Sequence, residues 1–113
     1  MGTYEAYEAF TSGSELLRMR EYRQAAVALE RAKALEPEQG SIREALGRAY
    51  FSSRAFVRAR AEFEAAVELH PTDGYAHYGL ARSLDRLGEG RLARRHYRLA
   101  KLFGTGADGQ PAA

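Results

Sequence analysis

The sequence predicts an all-α fold, a solenoid of three helix-turn-helix repeats with about six helices. Three observations carry that prediction. Ala25, Ala59 and Ala93 stand 34 residues apart, as do Leu29, Phe63 and Tyr97, and Ala32, Ala66 and Ala100, while Gly13 and Gly47 are matched in a third copy by Ala81. A fixed period of this length is the mark of a helical repeat array. Pro37 and Pro71 close the first two copies at the same spacing, with Thr105 in that place in the third. Within the central copy, Leu46, Gly47 and Tyr50 and then Ala59, Phe63 and Ala66 follow i, i+3/i+4 spacing, the pattern of two short amphipathic helices.

The elements follow in order. TYEAYEAFTSGSELLRMR reads as the first A helix, with Thr3 as its N-cap and Glu5 and Glu8 suited to the positive end of the helix dipole. Glu21-Tyr22 begins the first B helix, and Leu35 and Pro37 close it, because proline has no N–H for a continuing helix. Ser41 followed by Glu44 is a capping-box signature for the second A helix, which ends near Ser52-Ser53. The second B helix spans about Phe56 to Leu69. His70-Pro71-Thr72-Asp73-Gly74 is a turn with Asp73 as cap for the third A helix. That helix ends at Leu87-Gly88, and RLARRHYRLAKLF is the last B helix.

These residues resemble the tetratricopeptide repeat family from about residue 6 to residue 105. The second copy is the nearest to the family pattern, with Leu46, Gly47, Tyr50, Ala59, Phe63, Ala66 and Pro71 all of the expected type; Ala9, Arg43 and His77 depart from it where a large aromatic is usual. The resemblance implies a right-handed solenoid occupying residues 1–105, with repeats at about 6–39, 40–73 and 74–105, and residues 106–113 as a flexible tail. It also implies a concave face, lined by the A helices, that binds protein segments. Members that bind chaperone C-termini hold the terminal carboxylate with Lys, Asn and Arg side chains. The matching positions are Phe10, Ser14, Ala45, Tyr75 and Gly79. A peptide ending in Glu-Glu-Val-Asp is therefore not an expected ligand.

Composition excludes several classes of function. The chain has no Cys, which removes disulfides, thiol catalysis and thiolate metal sites. No apolar run approaches the ~20 residues of a membrane helix, and Met1–Phe10 lacks a signal-peptide pattern, so the expected compartment is the cytoplasm. His70, His77 and His96 share no helical face in sequence, and the serines sit at caps and turns, so neither an enzyme, a cofactor nor a metal site is expected. Residues 1–40 carry 5 basic and 7 acidic side chains, residues 41–73 carry 5 and 5, and residues 74–113 carry 7 and 3. The basic end around Arg91, Arg94, Arg95, Arg98 and Lys101 lacks a nucleic-acid recognition motif and reads as the solvated outer face of a terminal repeat. The same gradient admits head-to-tail stacking into a homo-oligomer as an alternative role.

The A-helix faces supply the candidate site. Tyr7 and Phe10 from the first copy, Arg48 and Phe51 from the second, and Tyr75, Tyr78, Arg82 and Arg86 from the third fall on the expected groove. Aromatic and guanidinium groups together suit a peptide with apolar or aromatic anchors and one or more carboxylates. The competing role is structural: Tyr7, Phe10 and Phe51 would close the A-helix seam, and Arg48, Arg82 and Arg86 would pair with Glu44 and Asp85.

Overall fold

Turn chemistry and small residues place the helices where the period puts them. The computed structural model describes residues 2–104, and the expected tail at 106–113 lies outside them. Six helices follow one another: α1 Gly2–Arg18, α2 Tyr22–Leu35, α3 Gly40–Ser52, α4 Phe56–Leu69, α5 Gly74–Arg86 and α6 Gly90–Phe103. Each packs on its neighbours in sequence, and the A helices also touch across repeats, α1 on α3 and α3 on α5. The fold is a right-handed α-solenoid of three antiparallel hairpins.

The turns inside the three hairpins share one conformation. Arg20, Arg54 and Gly88, each 34 residues from the next, all have positive φ, at 64°, 67° and 83°. Only the third is glycine, which takes this region without a Cβ penalty. The two arginines hold it because the chain must reverse within a few residues. The Glu21 and Ala55 N–H groups then donate back to the Leu16 and Tyr50 carbonyls, both at 2.8 Å.

Two caps expected from the sequence are not made. Thr3 lies inside α1, one residue past its start, and its hydroxyl donates to the Glu36 carboxylate at 3.4 Å. Helix α3 begins at Gly40 rather than after Ser41, which places Ser41 in the first turn with no capping hydrogen bond from the N-cap residue, Gln39. The early start is driven by packing: Gly40 is buried, and a Cβ there would lie 2.6 Å from the His70 ring. Asp73 does cap α5, its carboxylate accepting from the Tyr75 N–H at 2.9 Å and the Ala76 N–H at 3.4 Å.

The core runs the length of the stack as alternating small and large side chains. Leu29, Leu46 and Leu84 are fully buried among alanines at 25, 49, 59 and 93. Phe63, 2% exposed, is the central wedge. Its ring fills the space over Gly47 and Gly79, where an added Cβ would come within 2.8 Å and 2.2 Å of it. Those two glycines let α3 and α5 close on α4 from opposite sides.

One seam position changes chemistry from repeat to repeat. Residues 9 and 28, 43 and 62, and 77 and 96 are each 19 apart and pair the A helix with the B helix of the same hairpin. The first pair is Ala9 and Ala28, which line one shallow depression. The second is Arg43 and Glu62, whose side chains meet at 3.1 Å. Glu62 is buried and also takes the Lys33 ammonium at 2.8 Å, linking repeat two to repeat one. Lys33 reaches Glu30 at 3.2 Å, and Glu30 accepts the Tyr50 hydroxyl proton. Burial together with the Glu30 carboxylate pushes the Tyr50 phenol up to about 12. The third pair is His77 and His96. The departures from the family pattern at 43 and 77 are thus absorbed by matched partners.

Candidate peptide-binding groove

Helix α5 supplies half of the site, because its small buried face (Ala76, Gly79, Ala81, Ser83) holds it close to α3 and α4. Tyr75, Tyr78 and Arg82 then rise from α5 at i, i+3 and i+7, facing Arg48, Phe51 and Ser52 on α3, with Phe63 and Gly79 as the floor. The depression they line has a volume of about 170 Å³. Small-molecule pockets usually run to roughly 300–1,000 Å³, so this one is sized for a single side chain of a longer ligand.

Cations over rings organise its rim. The Arg82 guanidinium lies 4.4 Å from the Phe51 ring centroid and 5.9 Å from that of Tyr78. Arg86 sits 4.8 Å from Phe56 and 5.7 Å from Phe51. Phe51 in turn meets Phe56 edge-on at 5.1 Å, and Tyr78 meets Tyr97 of α6 at 5.8 Å. Stacking fixes a guanidinium without using its N–H donors, which keeps them available to an anion. The expected structural pairing with Asp85 is not what these arginines do: Asp85 accepts the Tyr97 hydroxyl at 3.2 Å, and among the described residues Arg48, Arg82 and Arg86 form no ion pair.

Glu44 lies one turn before Arg48 on α3. Burial and the neighbouring Asp73 carboxylate push its carboxyl up to about 8, so it is largely neutral at pH 7 and leaves the arginines' charge uncancelled. A protonated Glu44 donates to Asp73, tying α3 to the start of α5.

Five of the eight expected site residues come together here: Arg48, Phe51, Tyr75, Tyr78 and Arg82. Arg86 joins the aromatic rim beside them. Tyr7 and Phe10 do not; they line a separate depression with Thr3, Ala6, Glu36, Gln39, Ser41 and Ile42. Phe10 and Phe51 are also partly buried against the core, so both serve packing as well. Phe63, Phe56 and Tyr97 were not among the expected site residues, since in sequence Phe63 and Tyr97 read as repeat-packing positions and Phe56 as the start of a B helix. His77 and His96 share no helical face, as expected, yet they meet across α5 and α6 with their Nδ1 atoms 3.0 Å apart. Among the described residues no group of three or more His, Asp or Glu side chains is placed to hold a metal ion, and no helix is long and apolar enough to cross a membrane.

A tetratricopeptide repeat family model matches residues 10–74 and 54–111, which together span most of the chain. This chain belongs to the tetratricopeptide repeat family. Among solved structures, a point mutant of MamA superposes with a TM-score of 0.83 at 25% identity, over 89% of this chain and 74% of that one. MamA from Desulfovibrio magneticus RS-1 gives a TM-score of 0.80 at 23% identity, over 84% of this chain and 54% of that one. The CopN–Scc3 complex gives 0.82 at 15% identity, over 88% and 58%. Against the latter two the chain spans little more than half the neighbour's length. No curated protein matches it in sequence. A tetratricopeptide repeat solenoid is a scaffold for protein interaction, and that general role is this chain's.

Proposed function

We propose that the chain captures a short segment of a partner protein in the depression between α3 and α5, by an aromatic or large apolar side chain seated on Phe63 and Gly79 and a carboxylate held by Arg48 and Arg82. The observation that carries this reading is the pair of arginines without carboxylate partners, one of them stacked on Phe51, beside a hollow of single-side-chain size. The CopN–Scc3 neighbour, itself a complex, is consistent with a partner-binding role for this fold. Burying one large side chain contributes about 1.5–3 kcal/mol, and each charge-assisted hydrogen bond about 1.5–3. Against an association cost of several kcal/mol, these terms support a weak to moderate complex, micromolar or weaker. The test is selection from a random peptide display library on the immobilised protein. Enrichment of an aromatic or large aliphatic residue near Asp or Glu is expected; enrichment of basic segments, or of none, would refute the reading.

Head-to-tail stacking is the second reading, favoured by the end faces. Glu8 and Glu15 are exposed on α1 where Ile42 and Ala49 are buried in α3, while Arg94 and Lys101 are exposed on α6 where Val67 of α4 is partly covered. The two ends thus carry opposite charge at positions that internal repeats use for stacking. Light scattering at low salt up to ~100 μM, the scale of weak encounters, decides it: growth in mass that salt reverses supports stacking, and a strict monomer excludes it.

A further inference from the structure

The His77–His96 pair lies outside the groove and is used by neither reading above. His77 is 4% exposed. Its Nε2 stands 2.7 Å from the Pro71 carbonyl oxygen, which can only accept, so Nε2 carries the proton and Nδ1 presents a lone pair. His96 Nδ1, 3.0 Å away, must therefore be the donor, and its remaining lone pair is at Nε2. The rings stack at 5.2 Å, with Phe103 tilted against His77 at 5.6 Å. This chain of hydrogen bonds ties the turn before α5, α5 itself and α6 together. It has no room for a further proton between the rings: one placed on His77 Nδ1 would point at the His96 N–H.

We propose that this pair is an acid-sensitive latch that holds α6 on α5, closed while His77 Nδ1 accepts from His96 Nδ1–H and released when both rings are protonated, because His96 can take a proton on Nε2 without breaking the bond and His77 cannot. Other charges around it bias it the same way. Burial, His77 and Arg95 of α6 hold His96 below the usual imidazole range, and only Glu64 of α4 opposes them. For a histidine whose folded value is depressed, the stabilisation is complete above the unfolded value of about 6.5 and is lost as pH falls below it. The latch therefore weakens from about pH 6.5 downward. Local opening is feasible because each repeat of a solenoid contacts only its neighbours, so α6 can lift from α5 while α1–α4 stay folded. The other two repeats carry no titrating imidazole at this seam position, having Ala9 with Ala28 and Arg43 with Glu62.

Opening would also reach the groove, because Tyr97 of α6 backs Tyr78. That consequence rests on the groove reading; the latch does not, and it can be read without any ligand. The experiment is amide hydrogen exchange at pH 7.5 and pH 5.0, corrected for intrinsic rates, on the full chain and on two variants. One variant, H77A/H96A, copies the Ala9–Ala28 pair of repeat one; the other, H96Q, keeps a donor to His77 Nδ1 but removes one titrating ring. In the native chain the protection of α6 should fall at pH 5.0, by up to about 30-fold, the limit set by complete exclusion of one proton at 1.5 pH units below the ordinary imidazole value, while α1–α4 hold theirs. The drop should shrink in H96Q and vanish in H77A/H96A, whatever the variants' overall stability. Undiminished α6 protection in the native chain at pH 5.0, or an equal drop in H77A/H96A, would overturn the proposal.

Discussion

Replacing Gly79 with alanine tests whether Phe63 is the wedge on which α3, α4 and α5 converge. In an unconstrained helix interior the change would stabilise by roughly 1 kcal/mol, because alanine is the better helix former. Here the new Cβ would lie 2.2 Å from one ring carbon of Phe63 and 2.5 Å from two others. On its other side the ring packs over Gly47 of α3, so closely that a Cβ there would lie 2.8 Å away. Overpacking a filled core typically costs 1–3 kcal/mol, and an overlap this deep belongs at or above the upper end. The net expectation is a loss of about 2 kcal/mol or more, or a fall in Tm on the order of 8–16 °C for a domain of this size. Gly90→Ala is the internal control: the nearest atom to its Cβ is the end of the Arg94 side chain at 3.5 Å, so the helix-former gain should survive. Thermal and urea unfolding of both variants measure the contrast. A G79A chain as stable as the native one would refute the wedge.

Three further outcomes follow from the buried carboxyl groups and the hairpin turns. Glu44→Gln should flatten the pH dependence of stability between pH 6.5 and 8: a carboxyl raised to about 8 in the folded chain binds a proton that the unfolded chain has released, so its stabilisation is lost as pH rises through that value. Urea unfolding at the two pH values checks it, and a native-like decline in E44Q would contradict the assignment. Glu62→Ala leaves Lys33 and Arg43 facing one another without their shared carboxylate and should cost about 1–3 kcal/mol, below the 3–5 of a fully buried pair because both cations keep partial contact with water; chemical denaturation reads it directly. Arg20→Gly should be neutral or stabilising by up to about 1 kcal/mol, since the positive φ of 64° suits glycine, as Gly88 shows in the third repeat; a fall in Tm beyond 3–4 °C would count against strain at that turn.

Much of this fold was readable because its determinants are local. Pro37, Pro71 and the small-residue register fall where helices must stop or close, and α2 and α4 begin and end where those signals put them. The two failed caps show the limit of local rules: Ser41 has the right neighbours in sequence, but the packing of Gly40 against His70 starts α3 two residues sooner. The groove was legible in part for the same reason, since Tyr75, Tyr78 and Arg82 share one helix face. Tyr7 and Phe10 line a hollow separate from that of the other residues, a division that helix periodicity does not reveal. The paired seam residues were missed because they are 19 apart and on different helices, so no single-helix pattern joins them. The signal was nevertheless present: the recurrence of that spacing as Ala9–Ala28, Arg43–Glu62 and His77–His96 becomes visible once the 34-residue register is used to compare pairs rather than single positions.

The most direct test of the groove is calorimetric titration of a selected acidic-aromatic peptide into the native chain and into R48E/R82E, with melting curves recorded side by side. Reversing both charges removes two charge-assisted contacts of about 1.5–3 kcal/mol each, so affinity should fall at least a hundredfold. Arg48 is exposed, and Arg82 contributes its stacking, mainly on Phe51 and more distantly on Tyr78, about 0.5–1 kcal/mol, so Tm should fall by no more than about 4–8 °C. Undiminished affinity in R48E/R82E would contradict the account.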